Sequence, residues 1–281
     1  MSDMPGPDPI PFLKMHGCAN DYLFLDAIEH PDLADISAKI VRAMCHRRTG
    51  LGADGVIILT RDAGTWSARV VNADGSDGGM CGNGLRCAAR LLQDHHGAPS
   101  DFEVRMGGRT IAARVGHDVV SLAMGRVRLG ATPMGIDMDI LGAGGGEPLY
   151  TLEGLRIGFG DIGNPHMVIL SDSEPTEADL ARFGPRYERR PAFPQGMNVH
   201  LVHIKTPLQI VMRSHERGAG PTQACGSGAC VVAALLVAAG LASSNVEVRV
   251  PGGVLHVRVE EDANCTLTGP VAYVCEGTFL Q

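Results

Sequence analysis

The strongest constraint on this chain is an internal repeat. Displacing the sequence by 144 positions lays Cys81-Gly82-Asn83-Gly84-Leu85 on Cys225-Gly226-Ser227-Gly228-Ala229, and Ala89, Leu91 and Leu92 on Ala233, Leu235 and Leu236. The same offset pairs Glu103-Val104-Arg105 with Glu247-Val248-Arg249, Gly108 with Gly252, Arg114-Val115 with Arg258-Val259, Gly125 with Gly269 and Asn20 with Asn164. A single gapless offset holding over about a hundred residues implies one structural unit built twice. The 281 residues also exceed what one core usually supports. We therefore expect an α/β (α+β) fold of two pseudo-symmetric halves, residues 1–127 and 128–270, with 128–270 holding the second copy of the repeat.

Each half shows one order of elements. Strand patterns come first (12–14 and 22–26; 155–160 and 167–170), followed by a helix (36–45; 177–183). A second strand pair follows (56–60 and 68–72; 199–205 and 208–214), then a glycine-rich turn, the Cys-Gly-x-Gly element and a second helix (85–95; 229–239). Alternating strands end the half (102–106 and 110–115; 246–250 and 254–260). The period-two alternation over 254–260 is that of a half-buried strand. Residues 229–239 are apolar on every side, so this helix must be buried all round, inside a curled, mostly antiparallel sheet. The Gly-rich stretch 130–147 reads as a linker.

Composition narrows the function. A net charge of −7 and one tryptophan, Trp66, argue against a nucleic-acid partner. The cluster Arg42, His46, Arg47 and Arg48 reads as a solvated helix end. Residues 1–11 lack the apolar core of a signal peptide and read as a disordered lead-in. The longest apolar run, 229–242, is too short to span a bilayer. We therefore expect a cytoplasmic protein with no membrane partner. The eight cysteines are then free thiols rather than disulfides. No C-x-x-C pair suggests a metal site, so none is expected. Cys45, Cys265 and Cys275, and the helical Cys87 and Cys230, read as core residues.

Cys81 and Cys225 differ from these others. Each precedes a Gly-x-Gly turn and a helix, where unpaired N–H groups and the positive end of the helix dipole converge. Such a site lowers a thiol pKa and accepts a carboxylate. Two facing thiols around one amino-acid carboxylate suit removal of the α-proton on one face and its return on the other. No electron-sink cofactor is needed, and no phosphate-binding signature for one is visible.

These residues resemble a known family. Lys14-Met15-His16-Gly17 and Asn20-Asp21-Tyr22, Asn72-x-Asp74-Gly75-Ser76, and Met80-Cys81-Gly82-Asn83-Gly84-x-Arg86-Cys87 resemble diaminopimelate epimerase. So do Gly163-Asn164-Pro165-His166, Asn198-Val199, Glu216-Arg217-Gly218, Ala224-Cys225-Gly226-Ser227-Gly228 and Val250-Pro251-Gly252-Gly253. The resemblance runs from about Phe12 to Gly277. It implies two pseudo-symmetric halves, each a sheet curled around a central helix, with the active site between them. It also implies that residues 271–281 return to the first half, and that the protein is a homodimer. The implied reaction interconverts L,L- and meso-diaminopimelate, towards lysine and peptidoglycan, without pyridoxal phosphate or metal.

The resemblance further implies roles. Cys81 and Cys225 are the acid–base pair. The backbone of Gly82, Asn83, Gly226 and Ser227 holds the reacting carboxylate. Asn72, Asn198 and Arg217 hold the distal carboxylate, and Glu216 takes an ammonium group. Asn20, Asn164 and His166 line the site, and His16 is structural. Three positions depart from common family choices: Gly55, Ala19 and Pro221. They bear on the side chain recognised, so a racemase of another amino acid stays open as an alternative. A non-catalytic amino-acid-binding module and a thiol redox protein are further alternatives.

Overall fold

The computed structural model describes residues 9–280. Residues 1–8 of the expected lead-in lie outside the described residues, and Ile10 and Pro11 already belong to the first strand. The chain forms two compact units. One is drawn from the chain up to Ser121 and again from Pro270 onward, and the other is Leu122–Gly269.

The first unit runs β1 (Ile10–Gly17), β2 (Asn20–Asp26), α1 (Ala38–Cys45), β3 (Gly55–Asp62) and β4 (Thr65–Asn72). It continues with β5 (Asp77–Gly79), α2 (Gly82–His96), β6 (Asp101–Met106) and β7 (Arg109–Val115). β8 (Val119–Arg126) leads into the second unit, which opens with β9 (Arg128–Leu129), α3 (Met138–Leu141), β10 (Gly144–Gly146) and β11 (Leu149–Leu152). The repeated order then returns as β12 (Leu155–Asp161), β13 (Pro165–Leu170), α4 (Glu177–Glu188), β14 (Asn198–Thr206) and β15 (Gln209–Glu216). It ends with β16 (Gly220–Thr222), α5 (Gly226–Ala238), β17 (Asn245–Val250), β18 (Gly253–Val259) and β19 (Asn264–Pro270), before β20 (Ala272–Phe279).

Pairing repeats as faithfully as order. β1 is antiparallel to β2, β2 parallel to β3, β3 antiparallel to β4, β4 parallel to β6 and β6 antiparallel to β7. In the second unit β12, β13, β14, β15, β17 and β18 follow the same sequence of orientations. The parallel steps fall where a helix intervenes, because a parallel neighbour can be reached only by a crossover. β20 lies antiparallel along β1, from Ile10 opposite Phe279 to His16 opposite Ala272.

The central helix of the second unit behaves as its composition requires. Gly228 through Leu236 of α5 are all buried, and the helix touches β12, β13, β14 and β18. A sheet whose separate strands all reach one helix is curled around it. Close approach needs glycine: a Cβ at Gly158 of β12 would lie 2.4 Å from Leu235 Cδ2. Fully burying Leu235 and Leu236 contributes about 2 kcal/mol each.

Three readings of the sequence need correction. Residues 130–147 are no bare linker. Ala131, Met134, Ile136 and Leu141 insert into a core with Ile157, Phe159, Met167, Leu180 and Tyr187 on the sheet face away from α5. The glycines there close turns: Gly135 and Gly142 cap a 3-10 turn and α3 in the left-handed region. The second-half helix also runs on to Glu188, past Pro185, started by a Thr176–Asp179 capping box. Finally, Cys275 is exposed on β20 rather than buried; Cys45, Cys87, Cys230 and Cys265 are buried, and none of the eight cysteines is in a disulfide.

Candidate active site

Each helix of the repeat begins at a cysteine, and the two starts are alike in detail. Cys81 caps α2 with φ −131° and ψ 109°, and its Sγ accepts from Gly84 N–H at 3.4 Å. Cys225 caps α5 with φ −122° and ψ 105°, and accepts from Gly228 N–H at 3.4 Å. The extended backbone of a cap residue turns its side chain back over the first turn. Gly82 and Asn83, like Gly226 and Ser227, occupy that turn, whose N–H groups have no carbonyl to bond within the helix.

In the first unit the Cys81 thiol is partly exposed. The Tyr22 hydroxyl lies 3.1 Å from its sulfur and Asn20 Oδ1 3.8 Å. Asn83 Nδ2 donates to the same Asn20 oxygen at 3.2 Å, and Asn20 Nδ2 donates to Asp54 Oδ2 at 2.5 Å. Asp54 is held in turn by Arg47, which also pairs with Asp21. Burial would raise the Asp21 carboxyl pKa, but Arg47 and Lys14 outweigh it and hold Asp21 below its ordinary value. Arg47 thus braces this site while the cluster Arg42, His46, Arg47 and Arg48 stays exposed around the end of α1, as a solvated helix end would be. Asn72 ends β4, where its Nδ2 donates to Ser76 Oγ at 3.0 Å within a tight turn. His16 Nδ1 accepts from Ala19 N–H, bracing the β1–β2 hairpin. Cys18 and Ala19 both sit in the left-handed region there, at φ 53° and 61°, a conformation that favours glycine.

In the second unit Cys225 is fully buried, with Ser227 Oγ 3.5 Å from its sulfur. The expectation that the helix start lowers its pKa fails here. Burial, reinforced by the Glu216 carboxylate, pushes the thiol well up, against the weaker pull of Ser227 and Gly228 N–H. Glu216 is oriented by Thr222, whose hydroxyl donates to Oε1 at 2.6 Å. Asn198 is buried; its Nδ2 donates to Pro165 O at 2.8 Å and its Oδ1 accepts from Arg217 N–H at 3.0 Å. The exposed Arg217 guanidinium bonds Gln195 O at 2.5 Å. His166 donates or accepts on both ring nitrogens, with Asn164 Oδ1 at 2.9 Å and His200 Nε2 at 2.8 Å. Ligating atoms of His166, His200 and Cys225 lie within 4.8 Å of one another.

The first unit thus gathers Asn20, Cys81, Gly82 and Asn83, with Asn72 at the end of a neighbouring strand. The second gathers Asn164, His166, Asn198, Glu216, Arg217, Cys225, Gly226 and Ser227. Sequence reading missed Tyr22, Thr222, His200 and Ser214. His200 could have been found from alternation: two residues past Asn198 on β14, it shares that residue's face.

The buried histidines make stability sensitive to acid. Burial holds the His200 pKa at about 3, and holds His166 well below its ordinary value, with the nearby His200 and Arg217 adding to the effect. A histidine whose folded pKa lies below its unfolded value stabilises fully above the unfolded value, near 6.5, and progressively less as pH falls towards the folded one. Between pH 7 and pH 5, His200 should therefore cost about 2 kcal/mol of unfolding free energy. Urea unfolding of wild type and His200→Gln at both pH values measures this. An identical pH response in the two proteins would contradict it.

Comparison with known proteins places these observations. The family model described as diaminopimelate epimerase matches residues 12–130 and 159–274. A diaminopimelate epimerase of Desulfitobacterium hafniense is 36% identical, over 96% of this chain and 98% of its own. One of Acidiphilium cryptum is 37% identical, over 95% of each chain. Among solved structures, a PhzF-family phenazine biosynthesis protein of Bacillus anthracis superposes with a TM-score of 0.68 at 13% identity, covering 98% of this chain and 100% of its own. That likeness concerns the fold alone.

Proposed function

This chain belongs to the diaminopimelate epimerase family, and on that premise we propose that it interconverts L,L- and meso-diaminopimelate by passing the α-proton between two thiols. The observation that carries the reading is the matched pair of cysteine caps on α2 and α5. Deprotonating an amino acid at Cα pushes charge onto a carboxylate that is already negative. N–H groups of Gly82, Asn83, Gly226 and Ser227 aimed at that carboxylate lower the barrier by binding the developing charge. Cys225, kept protonated by burial and Glu216, is the starting acid for one direction. Cys81, bonded to Gly84 N–H and the Tyr22 hydroxyl, is the base. Afterwards the protonation states are exchanged, and the reverse reaction starts from there.

Asn72, Asn198 and Arg217 receive the distal carboxylate, and Glu216 an ammonium group. The reaction requires no pyridoxal phosphate or metal. No helix among the described residues is long and apolar enough to cross a membrane. We assign the chain to the cytoplasm as a homodimer. Tyr273 and Val274, large apolar residues exposed on β20, support a partner-covered strand, which sedimentation velocity would detect as twice the chain mass.

The test is a substrate panel with no cofactor added. L,L-diaminopimelate should be epimerised, and lysine, which lacks the distal carboxylate, should react at least about 100-fold less efficiently. Comparable turnover of lysine would make the chain a racemase of wider scope. Binding without turnover anywhere in the panel would make it a binding module.

A further inference from the structure

The two asparagines that the repeat places at equivalent positions, Asn20 and Asn164, are engaged through opposite ends of their amides. Asn20 gives Nδ2 to Asp54 and turns Oδ1 towards Asn83 and Cys81. Asn164 instead has its Oδ1 taken, by His166 Nε2 at 2.9 Å. A chain of hydrogen bonds continues behind His166. Its Nδ1 meets His200 Nε2 at 2.8 Å, with the ring centroids 5.1 Å apart, and His200 Nδ1 meets Ser214 Oγ at 2.9 Å. Both rings are completely buried, and Ser214 nearly so.

The direction of this chain follows from the end of the Asn164 amide that faces His166. Burial keeps both imidazoles neutral, so each has one N–H and one lone pair. An amide oxygen only accepts, so His166 carries its proton on Nε2 and accepts on Nδ1. His200 must then donate from Nε2 and accept on Nδ1, and the Ser214 hydroxyl supplies that last proton. The sequence makes room for the relay. A Cβ at Gly228, in the first turn of α5, would lie 2.4 Å from His200 Cε1.

We infer that Ser214 and His200 are positioning residues, which act through His166 to lock Asn164 with its amide N–H presented to the reacting carboxylate of the substrate. Asn20, locked the other way by Asp54, presents an acceptor. The inference rests on the epimerase reading, because the carboxylate belongs to that substrate. A donor at Asn164 strengthens as charge grows on the carboxylate, whereas an amide oxygen turned there would repel it. Backbone symmetry from the duplication is thus combined with opposite polarity in the two copies.

Two measurements test this. Long-range proton–nitrogen correlation spectra of the ligand-free protein at pH 7 should show His166 and His200 both neutral and both protonated on Nε2. A proton on Nδ1 of either ring overturns the relay, whatever the activity. In kinetics, His200→Leu removes the donor to His166 and should lower kcat/KM for L,L-diaminopimelate by about 100-fold. His200→Gln keeps an N–H donor and a carbonyl acceptor and should stay within about threefold of wild type. Equal losses in the two variants would reduce His200 to a packing residue. Should His200→Leu not fold, the wild-type tautomers still decide the relay. A wild-type protein with these tautomers and no epimerisation would instead sink the epimerase reading, and with it the role given to Asn164.

Discussion

Replacing either Cys81 or Cys225 with alanine is expected to lower the epimerisation rate by about 10⁴-fold, the upper range for a lost acid or base. Each thiol serves one face of Cα, so neither can replace the other. Both substitutions should leave a folded protein. Cys81→Ala removes a cap that accepts one N–H at 3.4 Å, which costs about 1 kcal/mol. Cys225→Ala removes the matching cap, which accepts Gly228 N–H at 3.4 Å, together with one buried sulfur atom, about 2 kcal/mol in all. Against a stability of roughly 5–15 kcal/mol, neither loss unfolds the chain. The losses should also be non-additive, with the double variant no slower than either single one, because the two thiols act as a unit. Circular dichroism and a chiral product assay together read these outcomes. Activity within tenfold of wild type in either variant would refute the two-thiol mechanism.

Arg217→Ala should lower kcat/KM for L,L-diaminopimelate by about 10³-fold, the loss when one partner of a desolvated charge pair is truncated. The structure gives this residue an anchored backbone and an accessible head. Its N–H is fixed by the buried Asn198, while the exposed guanidinium bonds Gln195 O. A planar guanidinium matches a carboxylate with two parallel bonds, so Arg217→Lys should recover only part of the loss. For a monocarboxylate amino acid the same variants should differ little from wild type. Equal losses for both substrate types would remove the distal carboxylate from Arg217 and assign the residue to the structure of the β15–β16 hairpin.

Much of the architecture was legible because the repeat carries it. One offset placed two helix starts at Cys81 and Cys225, and the structure reproduces their cap angles to within about ten degrees. The all-apolar stretch after Cys225 announced a helix with no solvent face. Residues 130–147 were illegible for the converse reason. Glycines that close turns look like glycines in a linker, while the four apolar residues between them lack a helical or strand period.

The candidate site was legible where motifs are contiguous and hidden where function depends on burial. The dipole argument is the same for both cysteines, yet Cys225 is pushed up by its own burial and then by the Glu216 carboxylate, which no spacing reveals. His200 and Ser214 lie on adjacent strands, opposite one another in register. Singly, each reads as an ordinary strand residue, and their relay exists only once β13, β14 and β15 are laid side by side.

The most direct test of the central claim is proton NMR of the purified protein with L,L-diaminopimelate in deuterated water, under reducing conditions and without added cofactor. Transfer between two thiols predicts that each molecule of meso product formed in the first turnovers has lost one α-proton and gained one deuterium, because the thiol that donates is not the one that accepted. Meso product that retains both α-protons of the substrate would contradict it.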